Sequence, residues 1–126
     1  MTEGKKVYDL EERTFLFAQS VRVFVRKLEK NPWNREDIKQ LVRSSGSVAA
    51  NYIEANDNLG EKDFLMRIKI AKKECKESIL WIRLVDIEDF LIEKERQELF
   101  AEATELKNIL GAIYKNRVSK LSLIHI

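Results

Sequence analysis

Residues 61–89 read EKDFLMRIKIAKKECKESILWIRLVDIED, with neither glycine nor proline to interrupt them. Phe64, Ile68, Ala71, Cys75, Ser78, Ile82 and Val85 recur at three- and four-residue steps, the spacing that places side chains on one face of an α-helix. Met66, Ile70, Leu80, Trp81, Leu84 and Ile87 form a second stripe. A helix with two apolar stripes is buried on two sides. At 1.5 Å per residue it would run roughly 43 Å, the scale of a whole small bundle. The rest of so short a chain can cover one side, so the second is expected to meet another subunit.

Moving towards the N-terminus, Asn56-Asp57-Asn58-Leu59-Gly60 is a run of turn formers that closes a preceding helix. That helix is expected to open around Asn34, with Glu36 and Asp37 in its first turn, where the macrodipole favours carboxylates. Ile38, Leu41, Ser45, Val48, Tyr52 and Ala55 mark its inner face. Gly46 in its middle costs roughly 1 kcal/mol relative to alanine. The small neighbours Ser44, Ser45, Ser47, Ala49 and Ala50 predict close approach of another helix there. Further upstream, Asp9 with Glu12 has capping-box spacing, and Leu10, Thr14, Phe17, Val21, Val25 and Leu28 continue at helical steps to a stop at Asn31-Pro32.

Towards the C-terminus, Leu99, Ala103, Leu106, Leu110 and Ile113 predict a fourth helix over about 93–117, with Lys115 and Arg117 at its negative end. Its boundary with the third helix, near Phe90-Leu91, carries no glycine or proline signal. Four helices with short connections predict an all-α, antiparallel up-down-up-down four-helix bundle, a single domain over residues 1–120. The last six residues, Leu-Ser-Leu-Ile-His-Ile, match an in-frame translation of a transposon mosaic-end adapter used in sequencing libraries. Residues 121–126 are therefore read as a non-native tail, and the only histidine, His125, goes with them.

Composition agrees. Apolar residues are 44% and charged residues 35% of the chain, which suits helices with one solvated face and excludes a disordered tail. One cysteine, Cys75, allows no internal disulfide and reads as a small buried hydrophobe in a reducing compartment. With no leader and no bilayer-length apolar run, the cytoplasm is the expected location, with no membrane partner. Net charge is only +2, but it is unevenly spread. Residues 1–84 hold 17 Lys/Arg and 13 Asp/Glu, while residues 85–126 hold 6 and 8, with an acidic stretch from Asp86 to Glu105.

Two groups of polar residues are candidates for function. Arg43, Ser47, Asn51 and Glu54 share one face of the second helix, and Lys73, Glu74 and Glu77 cluster on the third. A di-metal site in a bundle core needs glutamate-x-x-histidine pairs, and no histidine precedes position 125. Acid–base catalysis by Glu74 and Glu77 would lack a nucleophile and a phosphate-binding loop. The remaining reading is a structural network that fixes helix register or subunit contacts. No cofactor is implied. The second group is basic: Arg22, Arg26, Lys27 and Lys30 on the first helix, and Arg67, Lys69, Lys72, Lys73 and Lys76 on the third. Such a stripe could track phosphates, or be a solvated face neutralised by Glu29, Glu61 and Glu74.

These residues carry a resemblance. Tyr8-Asp9-Leu10-Glu11-Glu12-Arg13, Phe17-Ala18, the run from Arg43 to Ala55, and Lys73-Glu74-Cys75-Lys76-Glu77-Ser78 through Trp81 resemble the four-helix bundle proteins encoded by intervening sequences in bacterial 23S ribosomal RNA genes. The similarity spans about residues 8–114. It implies an antiparallel bundle assembling as a ring-shaped homopentamer. The family also includes accessory proteins of diversity-generating retroelements, basic barrels that bind nucleic acid and a reverse transcriptase. Ser47, Asn51, Glu54, Lys73, Glu74 and Glu77 are the motif positions, and the resemblance gives them a structural or interfacial role. Lys72 and Cys75 stand where leucine and alanine are more usual, and the near-neutral charge departs from the strongly basic accessory proteins.

The expectation is a non-catalytic homo-oligomer whose basic surface binds RNA or DNA, with a reverse transcriptase or other protein as a further implied partner. The alternative is a structural or protein-interaction module without nucleic acid. Convergence of the basic groups on one surface favours the first, and their scattering among acids favours the second.

Overall fold

Four helices follow one another in the computed structural model, which describes residues 9–124 and side-chain surroundings through Leu121. They are α1 (Leu10–Val25), α2 (Pro32–Asn56), α3 (Glu61–Leu84) and α4 (Phe90–Ile124). Each packs on its chain neighbours, and α4 closes the bundle against α1. The helices thus sit at the corners of a square, with α1 diagonal to α3.

The caps explain the starts. Asp9 Oδ1 accepts from the Glu12 amide at 2.8 Å, and Asn31 Oδ1 accepts from the Asn34 amide at 2.8 Å. Each such cap stabilises a helix by about 1 kcal/mol. Asn31-Pro32 therefore acts differently from the expected stop. Pro32 occupies the first helical position of α2, where a missing N–H costs nothing, so α2 opens two residues before Asn34. Glu36 and Asp37 consequently lie beyond its first turn. α1 ends earlier than expected, at Val25, and Lys30 Nζ donates to the Val25 and Leu28 carbonyls at 3.0 and 2.7 Å. Gly60 begins α3 at φ 135°, a conformation that side-chain-bearing residues rarely adopt.

The first α3 stripe is the core stripe. Phe64, Ile68, Ala71, Cys75, Ser78, Ile82 and Val85 are all buried. All of them but Ser78 meet Leu41, Val48 and Ala55 of α2, Phe17, Val21 and Phe24 of α1, and Leu99, Ala103, Leu106 and Leu110 of α4 in one core cluster. Fully burying each large side chain contributes about 1.5–3 kcal/mol. The buried Ser44 and Ser78 hydroxyls meet at 2.8 Å, so the polar groups at the α2–α3 seam satisfy each other.

α3 ends at Leu84, five residues before the expected Asp89, and two tertiary contacts hold that end. Arg96 Nη1 from α4 donates to the Ile82, Arg83 and Val85 carbonyls at 3.2, 3.2 and 2.6 Å. Asn34, fully buried, donates to the Glu29 and Asp86 carbonyls at 3.0 and 3.2 Å and accepts from the Asp86 amide at 2.8 Å. It thereby ties the α1–α2 turn to the α3–α4 turn. Asp89 Oδ1 then accepts from the Leu91 and Ile92 amides, which starts α4 at Phe90, three residues before expected. α4 continues to Ile124 and so takes in the first four residues of the tail, while Ile126 and His125 lie outside the described residues.

At the same end, partial burial and then the charges of Glu36 and Asp86 raise the Asp37 carboxyl above its ordinary range. A raised acid pKa in the fold means the ionised form costs stability that the protonated form does not. Asp37→Asn is therefore expected to raise the melting temperature at pH 7. The gain should vanish as the pH falls below the ordinary aspartate range, where the wild-type carboxyl is protonated in both states. Thermal melts at pH 7 and pH 3 check this.

Candidate macromolecule-binding face

The second α3 stripe faces outward. Met66, Leu80 and Leu84 are about half exposed, and Ile70, Trp81 and Ile87 are partly covered. Met66, Ile70 and Leu80 floor a shallow groove of about 630 Å³, flanked by Lys69, Lys72, Lys73 and Lys76, with Glu77 at one edge. Positions 69, 72, 73 and 76 fall on one side of a 3.6-residue helix, so one turn after another presents an ammonium to the same face. Lys69 Nζ lies 5.9 Å from the centre of the Tyr114 ring, and Lys72 Nζ lies 3.5 Å from where a β-carbon on Gly111 would stand. Both therefore lean along α4. Among the described residues none of these four lysines is in an ion pair.

The basic residues of α1 are occupied differently. Lys27 pairs with Glu95 at 2.9 Å, and Lys30 holds backbone carbonyls at the end of α1. Arg22 lies between α1 and α2, donating to the Ala18 carbonyl at 2.9 Å and the Val42 carbonyl at 3.4 Å. Its Nη2 sits 3.1 Å from where a β-carbon on Gly46 would be, so it is a guanidinium that approaches this glycine closely. Arg26 stays exposed. On α3, Arg67 pairs with Asp63 and donates to Asn51 Oδ1 at 3.4 Å. Of the nine basic residues expected to converge, four form one face.

The polar positions split into two surface clusters. Arg43 grips Glu74 at 3.2 Å and Glu77 at 2.9 Å, which holds its own pKa up, through Glu74 first. Asn51 Nδ2 donates to the Ser47 carbonyl and hydroxyl at 2.9 and 3.0 Å, and Arg67 joins it from α3. Glu54 and Lys73 point outward and join neither cluster. Both clusters bridge α2 and α3, which suits fixing helix register. Glu61, expected among the neutralising acids of the α3 lysines, instead binds Arg117 of α4 at 2.7 Å. Arg13 ties α1 to α4 through Glu102 at 2.8 Å and through Glu105, and these partners hold its pKa up.

Cys75 lies in the core. Burial, and then the charge of Glu102, pushes its thiol up to about 12. It is therefore a neutral thiol at physiological pH, without nucleophilic character. A maleimide reagent is expected to leave it untouched in the folded chain and to modify it rapidly in denaturant, read by mass spectrometry. Among the described residues no three His, Cys, Asp or Glu side chains gather as metal ligands would, and no helix is long and apolar enough to cross a membrane.

Over residues 7–112 the sequence matches the 23S rRNA-intervening sequence protein family. The chain belongs to this family. The match covers α1, α2, α3 and most of α4, including both polar clusters and the lysine face. The fold is also that of a crystallised protein of unknown function from the S23 ribosomal protein family of Bacteroides thetaiotaomicron. The two share a TM-score of 0.70 and 24% identity, over 84% of this chain and 98% of the other. No curated protein matches. Family membership confirms the resemblance read from the motif residues, and the four-helix bundle confirms the expected fold.

Proposed function

We propose that this member of the family is a non-enzymatic, self-associating bundle of the cytoplasm that binds RNA or DNA through the lysine face of α3. The observation that carries the reading is the convergence of Lys69, Lys72, Lys73 and Lys76 on one groove, with none of the four in an ion pair among the described residues. Phosphates would supply the missing charge and release counterions on binding. Self-association, in a ring of five by resemblance to the family, would set several such faces side by side and multiply their field. Exposed Phe15, Phe90, Leu91 and Leu84 leave apolar surface for contact between copies. A reverse transcriptase or another protein is a further partner that the resemblance suggests.

A second reading has its own observation in favour. Met66, Ile70 and Leu80 give the lysine groove an apolar floor, which an acidic amphipathic helix of another protein would cover. Salt separates the two. Light scattering after size exclusion, at low and high salt and with a mixed RNA ligand, is expected to show a salt-resistant oligomer that takes up RNA only at low salt. An oligomer that ignores RNA at every salt concentration overturns the nucleic-acid reading and leaves the protein-binding module. A monomer overturns self-association.

A further inference from the structure

Two rows of side chains run along the outward face of α3, and they differ in chemistry. At 3.6 residues per turn, Lys69, Lys72 and Lys76 fall within about 60° of arc. Lys69 lies over the Tyr114 ring and Lys72 lies against Gly111, so this row borders α4. Met66, Ile70 and Leu80 make the second row, displaced towards α2, with Lys73 and Glu77 between them. Beyond that row, Glu74 and Glu77 are both gripped by the single guanidinium of Arg43 from α2. Two carboxylates to one cation leave this rim net acidic. Across the face the order is therefore cationic, apolar, acidic.

That one-sided order discriminates among anionic ligands. A single nucleic-acid strand has the matching layout, with phosphates along one edge and flat, apolar base faces along the other. A duplex supplies phosphates but keeps its base faces inside its own stack. Against a duplex, Met66, Ile70 and Leu80 would lie uncovered beneath a charged backbone, and exposing bases to them would cost the pairing and stacking energy. An acidic amphipathic helix carries its acids on both flanks of its apolar stripe, so one flank would meet the Glu74 and Glu77 rim with like charge. Base edges suit that rim, because their exocyclic amines can donate to a carboxylate.

We propose that this face of α3 selects single-stranded over double-stranded nucleic acid, with phosphates along Lys69, Lys72 and Lys76 and bases laid on Met66, Ile70 and Leu80. The proposal rests on the nucleic-acid reading above and names the form of the ligand. From Met66 to Leu80 the apolar row runs roughly 21 Å at 1.5 Å per residue, room for about three to six nucleotides at one to two stacked spacings each. Lys73 serves both rows: its four-carbon stem extends the apolar floor while its ammonium can reach a phosphate. The acidic rim sets the strand's sidedness, since phosphates placed over Glu74 and Glu77 would be repelled. The lysines supply the salt-dependent part of the affinity, and the apolar row supplies the preference for unpaired bases.

The test is fluorescence anisotropy of the full chain at one low salt concentration with three labelled probes. They are a short DNA strand of mixed sequence, the same strand annealed to its complement, and an abasic strand of equal length and charge. The single strand is expected to bind roughly tenfold or more tighter than either of the others. Met66→Ser/Leu80→Ser, at two half-exposed sites and with circular dichroism confirming helix content, is expected to remove most of that preference. The same variant should keep the duplex affinity and its salt slope, because every lysine remains. Equal affinity for the three probes overturns the proposal and leaves phosphate binding by the lysines standing. So does a preference for single strands that the abasic probe shares or that the double variant retains. No binding to any probe at low salt overturns both the proposal and the reading beneath it.

Discussion

Asn34→Ala is expected to lower the unfolding free energy by about 2–3 kcal/mol, from three broken hydrogen bonds in a place with no solvent access to the side chain. The amide of Asn34 is the joint between two turns that are distant in sequence. Its nitrogen serves the Glu29 and Asp86 carbonyls, and its oxygen serves the Asp86 amide. Alanine removes both functions and leaves a void, so those backbone groups lose partners that nothing nearby replaces. Asn34→Asp separates the parts: it keeps the acceptor for the Asp86 amide and loses the donor to both carbonyls. Urea denaturation followed by far-ultraviolet circular dichroism at pH 7 measures both. A loss below about 0.5 kcal/mol for alanine would mean that Arg96 and apolar packing hold the α3–α4 turn without this amide.

Changing Lys69, Lys72, Lys73 and Lys76 together to glutamine is expected to reduce low-salt affinity for nucleic acid by about two orders of magnitude or more. Every phosphate that is no longer neutralised should also flatten the slope of log affinity against log salt by roughly 0.7–0.9. Glutamine keeps a long polar side chain of good helix propensity, so α3 and its buried stripe should be undisturbed. Lys39→Gln, exposed on α2 outside the groove, is the control and should change affinity little. Fluorescence anisotropy with labelled single-stranded RNA and duplex DNA over a salt series reads both quantities. Equal affinity for the quadruple variant and wild type would make the four lysines a solvated face and remove the support for nucleic-acid binding, without touching self-association.

Much of the bundle was legible in the amino-acid order because a helix buries side chains at its own repeat. The stripe from Phe64 to Val85 and that from Leu99 to Leu110 are buried as their spacing required. Asp9 caps α1 because a short carboxylate reaches the third amide beyond it wherever the pair occurs. Asn31-Pro32 misled in role more than in place: proline ends helices, but it is also favoured as a first residue, and Asn31 ahead of it decides for a start. Among the candidate site residues, the joining of Ser47 with Asn51 followed from spacing on one helix. The bond from Arg43 to Glu74 and Glu77 spans two helices, so spacing along either one puts these residues on a face without setting the contact.

Local sequence thus determined which side chains face inward, where all four helices begin to within three residues, and the family, since each depends on periodicity or on neighbours a few positions apart. Tertiary structure decided the rest. α3 stops at Leu84 because Arg96, from the next helix, and Asn34, from the previous one, take up the carbonyls and amide that another turn would have used. It also decided which cations stay free. Lys27 and Lys30 look as available as Lys73 and Lys76 in sequence, yet the fold brings Glu95 to one and helix-end carbonyls to the other. A charge is spent or left open according to what packing places within about 4 Å of it, and that distance is set between helices, beyond the reach of any pattern along one of them.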